Sequence, residues 1–302
     1  MIFILSEEED FSTSEVIGWL LYYKAKFVRW NEEDFIEGIN ITYDEDIQIF
    51  IRSEDHQKEI DLASVKMFWY RRGDFYLTFP MDTFSASIKK HLLKEWKVIN
   101  FFLHNYLSNK DGIGNFFKEA NFDKLHQLAL ASSVGLDIPN TIISDKKDNF
   151  SLCKEKKYIT KFIDSGMVGE LPGFNFFAGG TNKVTNQNLL MLDDRSYPTL
   201  IQEQIEKEYE LRIFYIDEEF FPMAIFSQNN EQTQLDFRNY DPNVPNRNVP
   251  YVLPEEIKNK LIKVTRGLQM NTGSKWKYCN NLQYKRMNTI IKVSKQCEVV
   301  LQ

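Results

Sequence analysis

Cysteine, histidine and long apolar runs are all scarce in this 302-residue chain, and each scarcity closes off a class of function. Three cysteines, Cys153, Cys279 and Cys297, are an odd number without metal-ligand spacing, so neither a disulfide framework nor a zinc site is expected. Four histidines, His56, His91, His104 and His126, make no i, i+4 pair and no cluster with cysteine, and read as surface or helix residues. No apolar run approaches the ~20 residues of a membrane span. The strand-like "MIFIL" runs straight into "SEEED", without the basic start, longer apolar stretch and cleavage site of a secretory signal, so the expected location is the cytoplasm. Positive charge is short as well. A net charge of −6 argues against a general nucleic-acid binder, because phosphate contacts need a basic face.

What remains is a globular composition, 43% hydrophobic and 26% charged, on a chain long enough for two or three cores. "MIFILS", "STSEVIGWLLYYKAK" and "FVRWN" predict a β-α-β opening, with Ser12, Thr13 or Ser14 capping the helix. "INITYDEDIQIFIR" alternates as two strands around Asp44 to Asp46, and "SVKMFWYRR" is a further strand. "SASIKKHLLKEWKVINFFLHNYL" predicts a long amphipathic helix, and "SNKDGIGN" is the first strong break, where a domain boundary is expected. Beyond it, a helix from Asp123 ends at Gly135, "DIPNTIIS" and "KYITKFID" are strands, and the Gly-rich "SGMVGELPGFNFFAGGTNK" reads as a loop or flap. "TLIQEQIEKEYELRIFYIDEEFFPMAIFS" gives two or three strands turning at Asp217 to Glu219. A helix with Pro254 near its start and Gly267 near its end follows.

Few residues in this frame point to chemistry. Lys124 falls in the first turn of a helix, where free N–H groups attract anions, though a solvated surface lysine fits equally. Lys161 interrupts an apolar strand and faces either an anion in a cleft or the solvent at a sheet edge. Ser165, Gly166 and Gly169 then allow backbone N–H groups to approach phosphates, or form a plain flexible loop. Glu203, Glu206, Glu208 and Glu210 precede Arg212, a pattern suited to ribose hydroxyls and a transferring phosphoryl group or to a charged face in water. Asp236 and Arg238, two apart in a segment expected to be extended, point the same way and suit a charged substrate.

In this order, Lys124, Lys161, the Glu-rich segment and Arg212 resemble an ATP-grasp ligase. "FWYRRG", "KLHQLALASSVGLDIPNTIIS", "YELRIFYIDEEFFPMAIFSQNNEQTQLDFRNYD" and "PNRNVPYVLP" resemble the grasp-with-spasm peptide maturases, relatives of the microviridin (graspetide) ligases, over residues 1 to 274. The resemblance implies an α/β (α+β) ATP-grasp fold: an N-terminal α/β domain over 1–114, a central lid over 115–198 and a C-terminal domain over 199–302 that looks truncated. It implies ATP and Mg²⁺, a precursor peptide with a leader and a Ser/Thr/Asp/Glu-containing core as partner, and a homodimer at family level. The chemistry implied is activation of Asp or Glu side chains as acyl phosphates, then closure of ester or amide rings with Ser, Thr or Lys. Carried over, Lys124, Lys161, Ser165 and Gly166 would hold phosphates, Glu203, Gln204 and Ile205 would line adenine, and Glu210 would meet the ribose. Arg212 would meet the γ-phosphate, with Asp236 and Arg238 on the side of the reacting carboxyl. A catalytically impaired peptide-binding protein and a ligase for a small amino acid are the alternatives.

The resemblance stops at Ser274. From Lys275 the last 28 residues carry six Lys and Arg against one acid, Glu298; this +5 tail leaves −11 for residues 1–274. The family continues "NTGS" with Ile or Val and an Asp, and later with a "FLEVNPxGQF"-like segment whose acid and Asn bind Mg²⁺. Here no Asp follows Asp241, and Glu298 leads into Val-Val-Leu, so no metal ligand is assigned. A shifted reading frame after Ser274 is the expectation, beside a genuine basic arm gripping an acidic peptide and a diverged strand pair. A chain without those carboxylates is expected to be weak or inactive, with its last domain lacking central strands.

Overall fold

The β-α-β opening forms as expected, from β1 (Ile2–Ser6), α1 (Phe11–Tyr22) and β2 (Phe27–Asn31), with β1 and β2 parallel. The structure, a computed structural model, describes residues 1–55, 57–120, 123–154, 157–164, 167–171, 174–269, 272–280 and 289–293. Ser165, Gly166 and Glu298 lie outside the described residues. The chain divides into two units between Asn121 and Phe122.

In the first unit, β3 (Ile36–Tyr43), β4 (Ile47–Ser53) and β5 (Glu59–Asp61) form an antiparallel sheet. The chain returns through β6 (Met67–Tyr70) to the free side of β1, then through α2 (Ala86–Ser108), β7 (Asp111–Ile113) and α3 (Phe116–Ala120). The parallel sheet runs β2-β1-β6-β7. Phe3, Ile4 and Leu5 in succession are fully buried, as a parallel strand covered on both faces requires. The cap of α1 is Asp10 rather than the predicted serines or threonine. Its carboxylate accepts from Thr13 N at 2.8 Å and is pinned by Arg71 and Arg72 at 2.9 and 3.0 Å, while Thr13 turns inward to Ser6.

The glycine-rich "SNKDGIGN" forms strand β7 and the turn after it. Gly114 has φ +80, and a Cβ there would stand 1.9 Å from the Tyr70 carbonyl oxygen. Gly114→Ala is therefore expected to destabilise this unit by at least ~2 kcal/mol, read by chemical denaturation; an unchanged midpoint would rule out the close approach.

The buried stripe of α2 is Asn100, Leu103, His104 and Leu107, so two of its four members are polar. His104 Nε2 lies 2.8 Å from Asp74 Oδ1, which also accepts from Asn100 Nδ2 at 2.9 Å, and Phe116 stacks on the imidazole at 3.7 Å. Burial pushes the His104 pKa below its ordinary 6.5 and outweighs the opposing pull of Asp74. For Asp74, burial alone would raise the pKa, but hydrogen bonds from His104, Asn100 and Phe75 N carry it below 3.8. A histidine depressed in the folded state leaves the unfolded chain binding more protons below about 6.5, so stability falls as pH drops through that value; the Asp74 share is lost only in stronger acid. Thermal midpoints from pH 7 to 5 should decline more steeply for the native chain than for His104→Gln. Equal slopes would remove His104 as the cause.

In the second unit, Asp123 caps α4 (Lys124–Ser133) by accepting from His126 N at 2.6 Å, and Gly135 ends it at φ +75. There follow β8 (Thr141–Lys146), β9 (Tyr158–Lys161), β10 (Met167–Leu171), β11 (Phe174–Ala178), β12 (Thr181–Val184), α5 (Asn186–Leu190) and β13 (Arg195–Glu203). These give an antiparallel sheet, β12-β9-β13-β8, and a separate hairpin, β10-β11. The Gly-rich stretch is thus a hairpin, not an irregular flap. Next come β14 (Glu210–Ile216), β15 (Glu219–Phe226), α6 (Glu231–Gln234), β16 (Arg247–Pro250), α7 (Glu255–Gly267), β17 (Thr272–Asn280) and β18 (Thr289–Val293). Their sheet runs β16-β15-β14-β17-β18. Leu211 and Ile213 pack with Leu261, Val264 and Ala131, which seats the helices on one face of β14.

The described residues of the tail are strand. β17 pairs antiparallel with β14 and β18 with β17, correcting the expectation that this sheet would lack its central strands.

Candidate functional site

Lys161 closes β9, and β9 is flanked by β12 on one side and β13 on the other, so this is not an edge lysine. Its Nζ donates to Gln202 Oε1 at 2.7 Å. Gln202, 1% exposed, donates in turn to Thr141 Oγ1 at 2.7 Å, and that hydroxyl donates to the Pro139 carbonyl at 2.8 Å. A buried neutral amide thereby fixes a half-buried ammonium. Lys124 is engaged as well. From the first turn of α4 its Nζ donates to the carbonyls of Phe162, at 2.7 Å, and Asp164, holding the segment that leads out of β9.

Across β12, Thr181 stands opposite Lys161 and donates to Asp236 Oδ2 at 3.0 Å. Asp236 is 2% exposed and receives a two-pronged contact from Arg238, Nε to Oδ1 at 2.9 Å and Nη2 to Oδ2 at 2.5 Å. Such a fork fixes the guanidinium plane, and about a third of the Arg238 side chain (34%) remains exposed. The segment is a turn and not extended as expected, because Asn239 N donates back to the Asp236 carbonyl at 3.0 Å. Carboxylate and guanidinium therefore face each other.

Alternation along β14 puts Leu211, Ile213 and Tyr215 in the core and Glu210 and Arg212 together on the other face. Glu210 is fully buried, and its Oε1 accepts from Lys207 Nζ at 2.7 Å and Ser227 Oγ at 3.1 Å. The connection from β13 carries Glu203, Gln204 and Ile205. Glu203 N donates to the Asn140 carbonyl and Gln204 N to that of Lys157, both at 2.8 Å. A cleft of about 320 Å³ opens here, its lining including Thr181, Lys183, Gln204, Glu231, Leu235 and Asn239.

The structure thus joins Lys161, Thr181, Asp236 and Arg238 in one chain of contacts, with Gln204 on the same cleft. Arg212 shares a strand face with Glu210. Sequence reasoning missed Gln202, Thr181 and Lys207. Lys207 carried a signal, its i, i+3 spacing to Glu210, whereas Thr181 sat inside a stretch read as loop. No group of three His, Cys, Asp or Glu capable of holding a metal occurs among the described residues.

No protein-family model and no curated protein matches the sequence. Solved structures do match. A RiPP-associated ATP-grasp ligase of Chryseobacterium gregarium, in complex with ADP and a leader and core peptide, superposes with TM-score 0.82 at 19% identity, covering 97% of this chain and 87% of that one. The macrocyclase MdnC of Microcystis aeruginosa MRC, bound with precursor peptide MdnA, gives 0.74 at 22%, covering 96% and 90%. The ATP-grasp ligase PsnB, complexed with minimal precursor, Mg and ADP, gives 0.68 at 13%, covering 98% and 89%. The chain has the ATP-grasp fold over nearly its whole length.

Proposed function

We propose that this chain is an ATP-dependent ligase that closes side-chain ester or amide rings in a ribosomally made precursor peptide. The carrying observation is the chain of contacts from Lys161 to Arg238 inside this fold: a fixed cation, opposite it a threonine that lines the cleft, and a guanidinium oriented by a buried aspartate. A carboxylate oxygen of the peptide attacks the terminal phosphorus of ATP and ADP leaves, giving an acyl phosphate. A Ser or Thr hydroxyl, or a Lys amine, then attacks the carbonyl carbon, phosphate leaves, and the proton passes to solvent. The peptide loses one water per ring.

Such a reaction asks the protein for position and positive charge, not for a nucleophile. Lys161 and Arg212 face the phosphates, with Lys124 holding the segment after β9 toward them. Arg238, braced by Asp236, meets the reacting carboxyl, and Glu203, Gln204 and Ile205 line the base. Glu210, expected at the ribose, is engaged by Lys207 and Ser227, and we assign it to holding the β13–β14 connection in place. No group of three His, Cys, Asp or Glu placed to hold a metal ion occurs among the described residues, and Mg²⁺ would enter on the phosphates of the nucleotide, where it would offset their charge.

The test is ADP formation and peptide mass with ATP, Mg²⁺ and a peptide bearing Asp or Glu with Ser, Thr or Lys. Peptide-dependent ADP and loss of water are expected; absence of nucleotide binding by calorimetry would sink the reading. A second reading, peptide binding without turnover, is favoured by the register of β17, which sets Lys277 opposite Arg212 and Cys279 opposite Glu210. It predicts leader binding with no ADP.

A further inference from the structure

We propose that the free edge of β12 binds an extended stretch of the substrate peptide as an added strand, and that Lys183 on this edge holds an acidic side chain two residues from the carboxylate that reacts. This rests on the peptide-ligase reading above and adds to it how the peptide is read. β12 is the last strand of the sheet β12-β9-β13-β8 and pairs with β9 alone. Every second residue of an antiparallel strand turns its N–H and C=O away from its partner, and beyond the β9 pairing residues 181–184 make no backbone hydrogen bond among the described residues. Thr181, Asn182 and Lys183 are consecutive, so their side chains alternate between the faces of the sheet, yet all three line the cleft of about 320 Å³. What opens on the cleft is therefore the edge of the strand and not one of its faces.

An edge of this kind is a template for another strand, whose main chain supplies the affinity and whose alternate side chains supply the selectivity. The walls suit a main chain as well. The side-chain amides of Asn182, Gln234 and Asn239 line the cleft and make no hydrogen bond among the described residues. Each offers an N–H donor beside a C=O acceptor, the same pair that a peptide unit presents. An apolar occupant would cover these groups without satisfying them.

Charge and spacing select the sequence. Lys183 is exposed and makes no hydrogen bond or ion pair among the described residues. A lysine on an edge ordinarily keeps other strands off, but it repels a cation placed opposite and attracts a carboxylate. Thr181 and Lys183, two apart, share a face, and Thr181 donates to Asp236, whose carboxylate holds Arg238. A peptide strand antiparallel to β12 sets one side chain opposite Lys183 and another, two residues later and ~7 Å along, opposite Thr181 on the Arg238 side. The later acid is the one to be activated. The earlier acid is bound by Lys183 and left unreacted.

Fluorescence anisotropy on the full chain, without nucleotide, tests it with the labelled synthetic peptide Ser-Thr-Asp-Thr-Asp-Thr-Ser. Methylating the peptide's backbone nitrogens one at a time should weaken binding at least tenfold at alternate residues only, the period of a strand ladder. Replacing the first Asp by Asn should weaken it about three- to fivefold, the range of an exposed ion pair. Lys183→Glu should do the same to the parent peptide, and a peptide with Lys in place of the first Asp should bind the Lys183→Glu protein as tightly as the parent binds the native one. No binding of the parent peptide, equal sensitivity to methylation at every residue, or a charge swap that fails to restore affinity overturns the proposal. So does mutual exclusion between peptide and ADP, which would give the cleft to the nucleotide. ADP formation and water loss with the same peptide report separately on the ligase reading: the expected binding pattern without turnover upholds the edge and counts against the reaction, whereas turnover indifferent to methylation and to Lys183→Glu overturns the edge alone.

Discussion

Lys161→Met is expected to lower peptide-dependent ADP formation by at least ~100-fold, the loss seen when one preorganised donor to developing charge is removed. Methionine keeps the unbranched stem, so β9 should still pack between β12 and β13. What disappears is the ammonium that Gln202 holds at 2.7 Å. Gln202 is 1% exposed, so its Oε1 loses a bond it cannot replace with water, at about 1–3 kcal/mol. The thermal midpoint should therefore drop by several degrees, and turnover must be compared below both midpoints. Lys161→Arg is not a rescue, since a planar fork cannot occupy the single-point geometry set by the Gln202–Thr141 relay. Full turnover in Lys161→Met would remove this lysine from phosphate chemistry; unchanged nucleotide affinity with lost turnover would place its action in the transition state alone.

Lys161 stood out in the sequence because a charge inside an apolar strand is costly and needs a reason, whereas Asp236 and Arg238 stood out as a carboxylate and a guanidinium two apart in a segment rich in proline and asparagine. What decides between reasons is non-local. Whether β9 is an edge depends on β12, which starts at the end of a Gly-rich stretch whose hairpin has no alternating pattern to announce it. The burial of His104, read only as a surface or helix histidine, was hidden for a related cause. Helical spacing put it beside Leu103 and Leu107, but its partner Asp74 is 30 residues back, and only that contact explains an imidazole at 0% exposure. Asp10 outcompeted Ser12, Thr13 and Ser14 as a cap because two arginines from the end of β6 hold its carboxylate in place. The tail shows the limit from the other side. Composition marks it as foreign after Ser274, yet backbone pairing along β14 places a strand at Thr272–Asn280 whose ladder does not depend on side-chain identity.

Lys207→Met is expected to be the most destabilising single change in the second unit, by about 3–5 kcal/mol, because it takes the cation from a carboxylate that has no access to water. Lys207 and Glu210 side chains are 7% and 0% exposed, and their 2.7 Å contact closes the connection between β13 and β14. Exposed pairs such as Lys157–Glu206, 71% and 47% exposed, are expected to contribute under ~1 kcal/mol, so Lys157→Met serves as the control. A buried pair differs in that its members cost far more apart than together. Glu210→Gln on the Lys207→Met background should therefore recover part of the loss, since an amide at this position still accepts from Ser227 and carries no charge. The measurement is a double-mutant cycle by denaturant unfolding, with coupling of at least ~1 kcal/mol expected between the two sites. Additive losses would mean that the lysine stabilises through its stem and not through Glu210. Nucleotide affinity separates structure from function in the same samples: if the pair only holds the connection that carries Gln204, the double variant should regain affinity along with stability, whereas a Glu210 that contacts the ribose directly should leave affinity low after the fold is restored.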